Sequence, residues 1–282
     1  MSMADDVFVR MCTEIIERGT TTEGQRVRPH WADGAPAYTI KRFGVCNRYD
    51  LRKEFPALTL RRTALKSCMD EILWIYQRKS NNVRDLKPHI WDEWADETGS
   101  IGKAYGYQVA QVSHYADGDL DQMDRVLKDL RDNPYSRRIM TNLYTFADLS
   151  QMSLYPCAYN AVYNVTRVPG EARPVLNMLL VQRSQDVLAA NSWNVCQYAL
   201  LLMMVAQVSG MVAGELVHMI ADAHIYDRHI DIVRELIARP RFAAPKVSLN
   251  PEVTDFYDFT TDDLAVEGYT YGPQVKDIPV AI

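Results

Sequence analysis

A chain of 282 residues, 48% hydrophobic and 24% charged, is long enough to bury a sizeable core without disulfide or metal staples. Its formal charge of −5 argues against a dedicated nucleic-acid binder, which shows a basic balance or face, yet leaves room for a few local arginines around a small phosphate. The five cysteines (Cys12, Cys46, Cys68, Cys157 and Cys196) form no CxxC pair, which speaks against a secreted disulfide framework or a structural zinc site and for reduced thiols in the cytoplasm.

The acidic start, MSMADDVFVRM, lacks the basic and apolar regions of a secretion signal. Residues 4–18 then predict a helix, with Val7, Met11 and Ile15 at helical spacing and Gly19 suited to a left-handed stop. A stronger helix is predicted over 61–79, where Leu65, Met69, Ile72 and Tyr76 form an apolar stripe. A third spans 121–132, with Met123, Val126, Leu127 and Leu130 inward and Pro134 just beyond. The pattern changes to β-formers at 138–144, 158–167 and 174–185. A buried helix follows at 193–209, closed by Gly210; its most apolar run, Tyr198–Ala206, falls well short of the roughly 20 residues that span a bilayer. Glu215–Tyr226 reads as a strand, 228–238 as a helix closed by Pro240, and the tail from Asn250 as short extended pieces. No linker or repeat divides residues 1–282, so one α+β domain around a sheet is expected.

Several segments carry polar chemistry. In YPCAYN (Tyr155–Asn160), Pro156 pins the backbone before a strand and presents Cys157. A reactive cysteine needs nearby cations to favour its thiolate. Arg137 and Arg138 in PYSRRIM, Arg183 and Ser184 in VQRSQD, and Arg28 are candidates, and the same forks bind phosphate oxygens. On a strand Arg137 and Arg138 would point to opposite faces, so both meet one phosphate only from a loop, a strand end or across a subunit interface. Asn194 offers the donor and acceptor that read an amide-like ring edge, but its spacing favours a helix cap. His224 and Tyr226 share a strand face suited to a sugar hydroxyl. His224 and His229 do not have the spacing of a helical zinc pair, and no metal is expected.

In chain order, EILWIYQRKSNNV (Glu71–Val83), IWDEWADETGSIGKAYGYQ (Ile90–Gln108), NPYSRRIM, YPC, QRSQD, WNVCQYALLLMMVAQVSG, DAHIYDRH and the ending PVAI resemble the thymidylate synthase family over essentially the whole chain. NPEVTDFYDFT and AYGYQ resemble its Bacillus-type branch. The resemblance implies a large mixed sheet flanked by helices, a homodimer joined through the sheet, and conversion of dUMP to dTMP with 5,10-methylenetetrahydrofolate as carbon and hydride donor. It implies Cys157 as the nucleophile at C6, with Glu71 and Tyr105 managing protons and Asn194 reading the uracil edge. Arg28, Gln182, Arg183, Ser184 and Asp186 would bind substrate, joined by Arg137 and Arg138 from the other subunit; His224 and Tyr226 would hold the 3′-hydroxyl. Ile90, Trp91, Trp94, Leu154 and Trp193 would wall the folate, Asp186 would touch its pterin, Arg61 its glutamate tail, and Ile282 would close over it.

The sequence also departs from the family pattern. Ala158 stands where histidine is common, YGYQVAQ lacks the usual tryptophan and arginine, and AANSWN (Ala189–Asn194) replaces the usual LGxPFN. That last change keeps open a nucleotide 5-hydroxymethylase of the same fold, in which water captures the methylene. A catalytically silent nucleotide- or RNA-binding regulator is the rival from another class.

Overall fold

The computed structural model describes residues 2–281. Along the chain run α1 (Met3–Arg18), β1 (Thr20–Thr21), β2 (Thr39–Asp50), α2 (Leu65–Tyr76), α3 (Gly106–Val109), β3 (Ser113–Tyr115), β4 (Gly118–Leu120), α4 (Gln122–Asp132), β5 (Met140–Asn142), β6 (Ala158–Thr166), β7 (Val175–Gln182), β8 (Gln185–Asp186), α5 (Asn191–Val208), β9 (Val212–Tyr226), α6 (Ile230–Ile237), β10 (Lys246–Leu249) and β11 (Leu264–Glu267). One mixed seven-stranded sheet has the order β1-β2-β9-β7-β6-β5, with β8 also pairing β9. Every neighbour pair in it is antiparallel except β7–β9 and β8–β9, which are parallel.

Local chemistry explains the helix ends. Ser2 caps α1 by accepting the Ala4 N–H, and Asp5 and Asp6 lie in its first turn. Asp121 caps α4 by accepting the N–H groups of Met123 and Asp124, both at 3.0 Å. Gly19 does not take the left-handed conformation expected of it, because its φ is −73° and its backbone is extended. Glycine is needed there for space: a Cβ would lie 2.3 Å from the Ile15 carbonyl oxygen and 2.7 Å from the Ile40 side chain. The helix expected over 61–79 is shorter at both ends. The N–H of Thr63 is taken by the Tyr269 hydroxyl at 2.9 Å, and Lys79 turns to a φ of 53°.

Strand β2 has no counterpart in the sequence reading, because Lys41, Arg42, Asn47 and Arg48 break its apolar alternation. Its charges are matched across the ladder instead: Lys41 meets Asp222 at 2.7 Å and Arg48 meets Glu215 at 2.5 Å.

The sheet's two faces differ. One packs on α5, which is buried nearly all round, and α5 in turn packs on α2 through Tyr76 and Tyr198. The other carries a cross-strand row of Val217, Leu179, Val162 and Met140, each opposite the next. Cys46 and Met219 form an exposed pair on the same face, with Val181 beside Met219. Apolar residues in such a row, half or fully exposed, form a contiguous face of the kind that joins subunits.

Candidate active site

The crossover β7–α5–β9 puts the C-terminal end of β7 beside the start of α5, the position at which open sheets hold ligands. Because β6 runs antiparallel to β7, its first residues reach the same end, with Ala158 opposite Gln182. Cys157, just before β6, is thereby delivered to the cleft. Its N–H donates to the Tyr105 hydroxyl at 3.3 Å, and its carbonyl accepts the Arg183 N–H at 2.9 Å.

The Arg183 guanidinium is anchored on two loop carbonyls, those of Pro156 at 3.1 Å and Tyr155 at 2.7 Å, which leaves Nη2 3.8 Å from Cys157 Sγ. Burial pushes the Cys157 thiol up; Arg183, and then Arg28, pull it back toward ionisation.

Cys157 opens into a cavity of about 520 Å³ that Glu71, Tyr105 and Asn194 also line. Its apolar wall is Ile90, Trp91, Trp94, Leu154 and Trp193, with Val280 of the tail. Glu71 is buried on α2. Trp91 Nε1 donates to one of its oxygens at 2.7 Å and Trp193 Nε1 to the other at 2.5 Å. Burial pushes Glu71 up to about 7, against the pull of those indoles. Tyr105 sits at a φ of 46°, strained for a tyrosine. Gly106 follows because a Cβ there would lie 2.1 Å from the Ser80 carbonyl oxygen.

Asn194 is not a cap. Ala190 occupies that position, and the Asn194 N–H already donates to the Ala190 carbonyl inside the helix at 2.9 Å. Its side chain is instead held within an amide network. Nδ2 donates to Gln197 Oε1 at 3.0 Å, while Oδ1 accepts from Gln185 at 3.3 Å and Gln182 at 3.5 Å. Gln182 in turn bonds the buried His218 at 2.5 Å. Neither Gln185 nor Gln197 is among the site residues expected from the sequence; for Gln197 the available signal is a glutamine inside the otherwise apolar run of α5.

His224 and Tyr226 share a strand face as expected, with ring centroids 5.2 Å apart. His224 Nδ1 lies 2.9 Å from Asp222. Burial raises Asp222, but hydrogen bonds from His224 and Lys41 hold it below the usual carboxylate range. Asp186 accepts the Ala189 N–H at 3.0 Å, tying it to the turn before α5.

Arg183 and Ser184 link β7 to β8. Arg28 is exposed in the loop between β1 and β2. Arg137 and Arg138 are exposed in the turn before β5, not in the strand expected from 138, so their alternation is no obstacle; neither lines the cavity of their own chain. Arg61 is buried, and its guanidinium donates to the Leu188 carbonyl. It borders a neighbouring pocket that shares Ala189 and Trp193 with the main cavity. Ile282 lies outside the described residues. His229, which the sequence reading weighed only as a metal ligand, is buried and lies with Nε2 2.8 Å from the Pro279 carbonyl, docking the tail. Among the described residues no cluster of three His, Cys, Asp or Glu side chains is arranged for a metal ion.

A half-buried thiol beside an anchored guanidinium, with a fixed side-chain amide and a buried carboxyl of raised pKa in the same cavity, is an arrangement suited to thiol-initiated, covalent enzyme chemistry. The comparisons name the family. The family model described as thymidylate synthase matches residues 6–282. The chain is 40% identical to the thymidylate synthase of Bacillus mojavensis, with 98% of each chain covered. It is 39% identical to thymidylate synthase 1 of Bacillus subtilis strain 168, again over 98% of each. The solved structure of a thermostable thymidylate synthase A from Bacillus subtilis superposes with a TM-score of 0.92, at 39% identity and 99% coverage of both chains. This chain belongs to the thymidylate synthase family.

Proposed function

We propose that this chain converts dUMP to dTMP by reductive methylation, initiated by addition of Cys157 to the pyrimidine. The observation that carries the reading is the Cys157 thiol 3.8 Å from the fixed Arg183 guanidinium, opening into an indole-walled cavity that also holds Glu71 and Asn194.

The phosphate of dUMP is held by Arg28, Arg183 and Ser184, with Arg137 and Arg138 of a second copy completing the clamp. His224 Nε2 and the Tyr226 hydroxyl hold the ribose 3′-hydroxyl, and Asn194, fixed by its amide network, reads the uracil O4 and N3–H. Arg183 stabilises the Cys157 thiolate, which adds to C6. The electron pair moves through the ring toward O4 and makes C5 nucleophilic, splitting a difficult substitution into easier steps. Glu71 organises proton transfer near O4. Once C5 has taken the one-carbon unit, Tyr105, hydrogen-bonded to the Cys157 backbone, assists removal of the C5 proton, and Cys157 leaves C6 with its bonding pair as the new exocyclic carbon is reduced by hydride.

The flat apolar wall of Ile90, Trp91, Trp94, Leu154 and Trp193 fits a pterin, with Asp186 at its polar edge and Arg61 toward a glutamate tail. When bound there, 5,10-methylenetetrahydrofolate supplies the methylene carbon and the hydride. Trp91, Trp193 and the docked tail narrow the cavity against water, which favours methylation over 5-hydroxymethylation.

The apolar sheet face supports a homodimer that pairs through the sheet. We read the chain as one domain of a cytoplasmic enzyme; no helix among the described residues is long and apolar enough to cross a membrane. Mass spectrometry of the nucleotide formed from dUMP and methylenetetrahydrofolate tests the reading. A methylated product with dihydrofolate is expected; a hydroxymethylated product with tetrahydrofolate would overturn it.

A further inference from the structure

The segment AANSWN, Ala189–Asn194, lies against the most deeply buried carboxyl of the cavity. Trp193 enters from the first turn of α5, and Glu71 faces it from α2, 122 residues earlier. A carboxylate has two oxygens and about four lone-pair directions, and a single donor leaves its plane free to swing. Here Trp91 grips Oε1 from the loop after α2, and Trp193 grips Oε2 from α5. Ala189 and Ala190, both small, precede Trp193 along the same cavity wall, where a bulky indole needs room. A phenylalanine at this place would offer an aromatic ring but no N–H.

We propose that Trp193 is a positioning residue for Glu71, its indole N–H fixing the second carboxylate oxygen as that of Trp91 fixes the first. This rests on the reading of Glu71 as the group that manages protons at the base. The wall role of Trp193 stays with its ring, whereas the positioning role belongs to one nitrogen. The titratable groups acting on Glu71 are Asp70, beside it on α2, Cys68 one turn back, and Tyr105 across the cavity. None of them lies in AANSWN, so Trp193→Phe removes the donor without changing a titratable group near Glu71.

The experiment is steady-state kinetics over pH for Trp193→Phe, Glu71→Gln and the double variant of the full-length protein. Losing one hydrogen bond to a charged group predicts a fall in kcat of about 10- to 100-fold for Trp193→Phe, with little change in the folate KM. The N–H favours the carboxylate, so its loss moves the limb of the kcat profile that reports Glu71 to higher pH. Because Trp193 acts through Glu71, the double variant should be no slower than Glu71→Gln alone.

An unchanged kcat and pH limb, with only the folate KM raised, would make Trp193 a wall and overturn the proposal. Near-normal turnover of Glu71→Gln would instead overturn the underlying reading of Glu71, a separate result. A measurement on the unsubstituted protein keeps the proposal testable even where a variant folds poorly. The indole ¹⁵N–¹H resonances of Trp91 and Trp193 should titrate together with Glu71, and a Trp193 signal indifferent to that titration would sink the idea.

Discussion

The two ends of the site are built differently. Around Glu71 and Asn194 the chain supplies both indole donors and the fixing amides from its own core. Among the arginines, Arg183 is anchored, while Arg28, Arg137 and Arg138 stand exposed, the last two away from their own chain's cavity. The end around Glu71 and Asn194 is thus pre-organised by folding, and in the proposed dimer a second copy would complete the charged end. A buried group must find its partners within the core, because an unpaired polar group there is costly. Exposed guanidiniums carry no such demand and stay solvated.

The most severe way to break this arrangement is Cys157→Ser. Turnover should fall by about 10⁴-fold or more, since a hydroxyl beside Arg183 is a far weaker nucleophile, while dUMP binding measured by calorimetry changes little. Arg137→Ala sharpens the contrast. It should lose about 10²-fold in kcat/KM for dUMP, yet mixing it with Cys157→Ser should restore about a quarter of wild-type sites, because random pairing gives one intact site in each mixed dimer. No recovery in a verified mixed dimer would return Arg137 to its own chain.

Gln197→Leu tests the pre-organised end. It removes the acceptor for Asn194 Nδ2 and should raise the dUMP KM by about tenfold with Cys157 chemistry intact; an unchanged KM would mean that Asn194 holds its pose without help.

The smallest effect at neutral pH concerns His218, buried behind Gln182 and pushed down to about 3 by desolvation. A histidine that stays neutral when folded and protonates near 6.5 when unfolded costs stability as pH falls below the unfolded value, about 2 kcal/mol between pH 6.5 and 5. Denaturant titrations of His218→Asn should show a shallower fall over that window. An identical slope would assign the acid sensitivity elsewhere.

How much of this was legible in the chain depended on whether the signal was local. Helices α1, α4 and α5, and strands β6, β7 and β9, follow from periodicity and punctuation within a few residues. So does the shared face of His224 and Tyr226. Strand β2 was hidden because its charges are matched by Asp222 and Glu215 on β9, far along the chain. Asn194 looked like a cap because asparagine before an apolar helix usually is one; here the helix begins earlier, at Asn191, with Ala190 in the cap position. Gly19 was read as a conformational stop, but the approach of Ile15 and Ile40 requires it. The second indole on Glu71 joins α2 to α5, and no spacing rule reaches across that distance.

The apolar row along the open sheet face has a consequence at the bench. Cys46 lies on that face opposite Met219 and is exposed, while Cys12, Cys68 and Cys196 are buried and Cys157 is half-buried in the cleft. An isolated chain therefore offers an alkylating reagent two sulfurs, whereas two copies seated sheet to sheet would offer one. The rate at which Cys46 is labelled, followed through a dilution series, would read out subunit exchange with no tag or dye added.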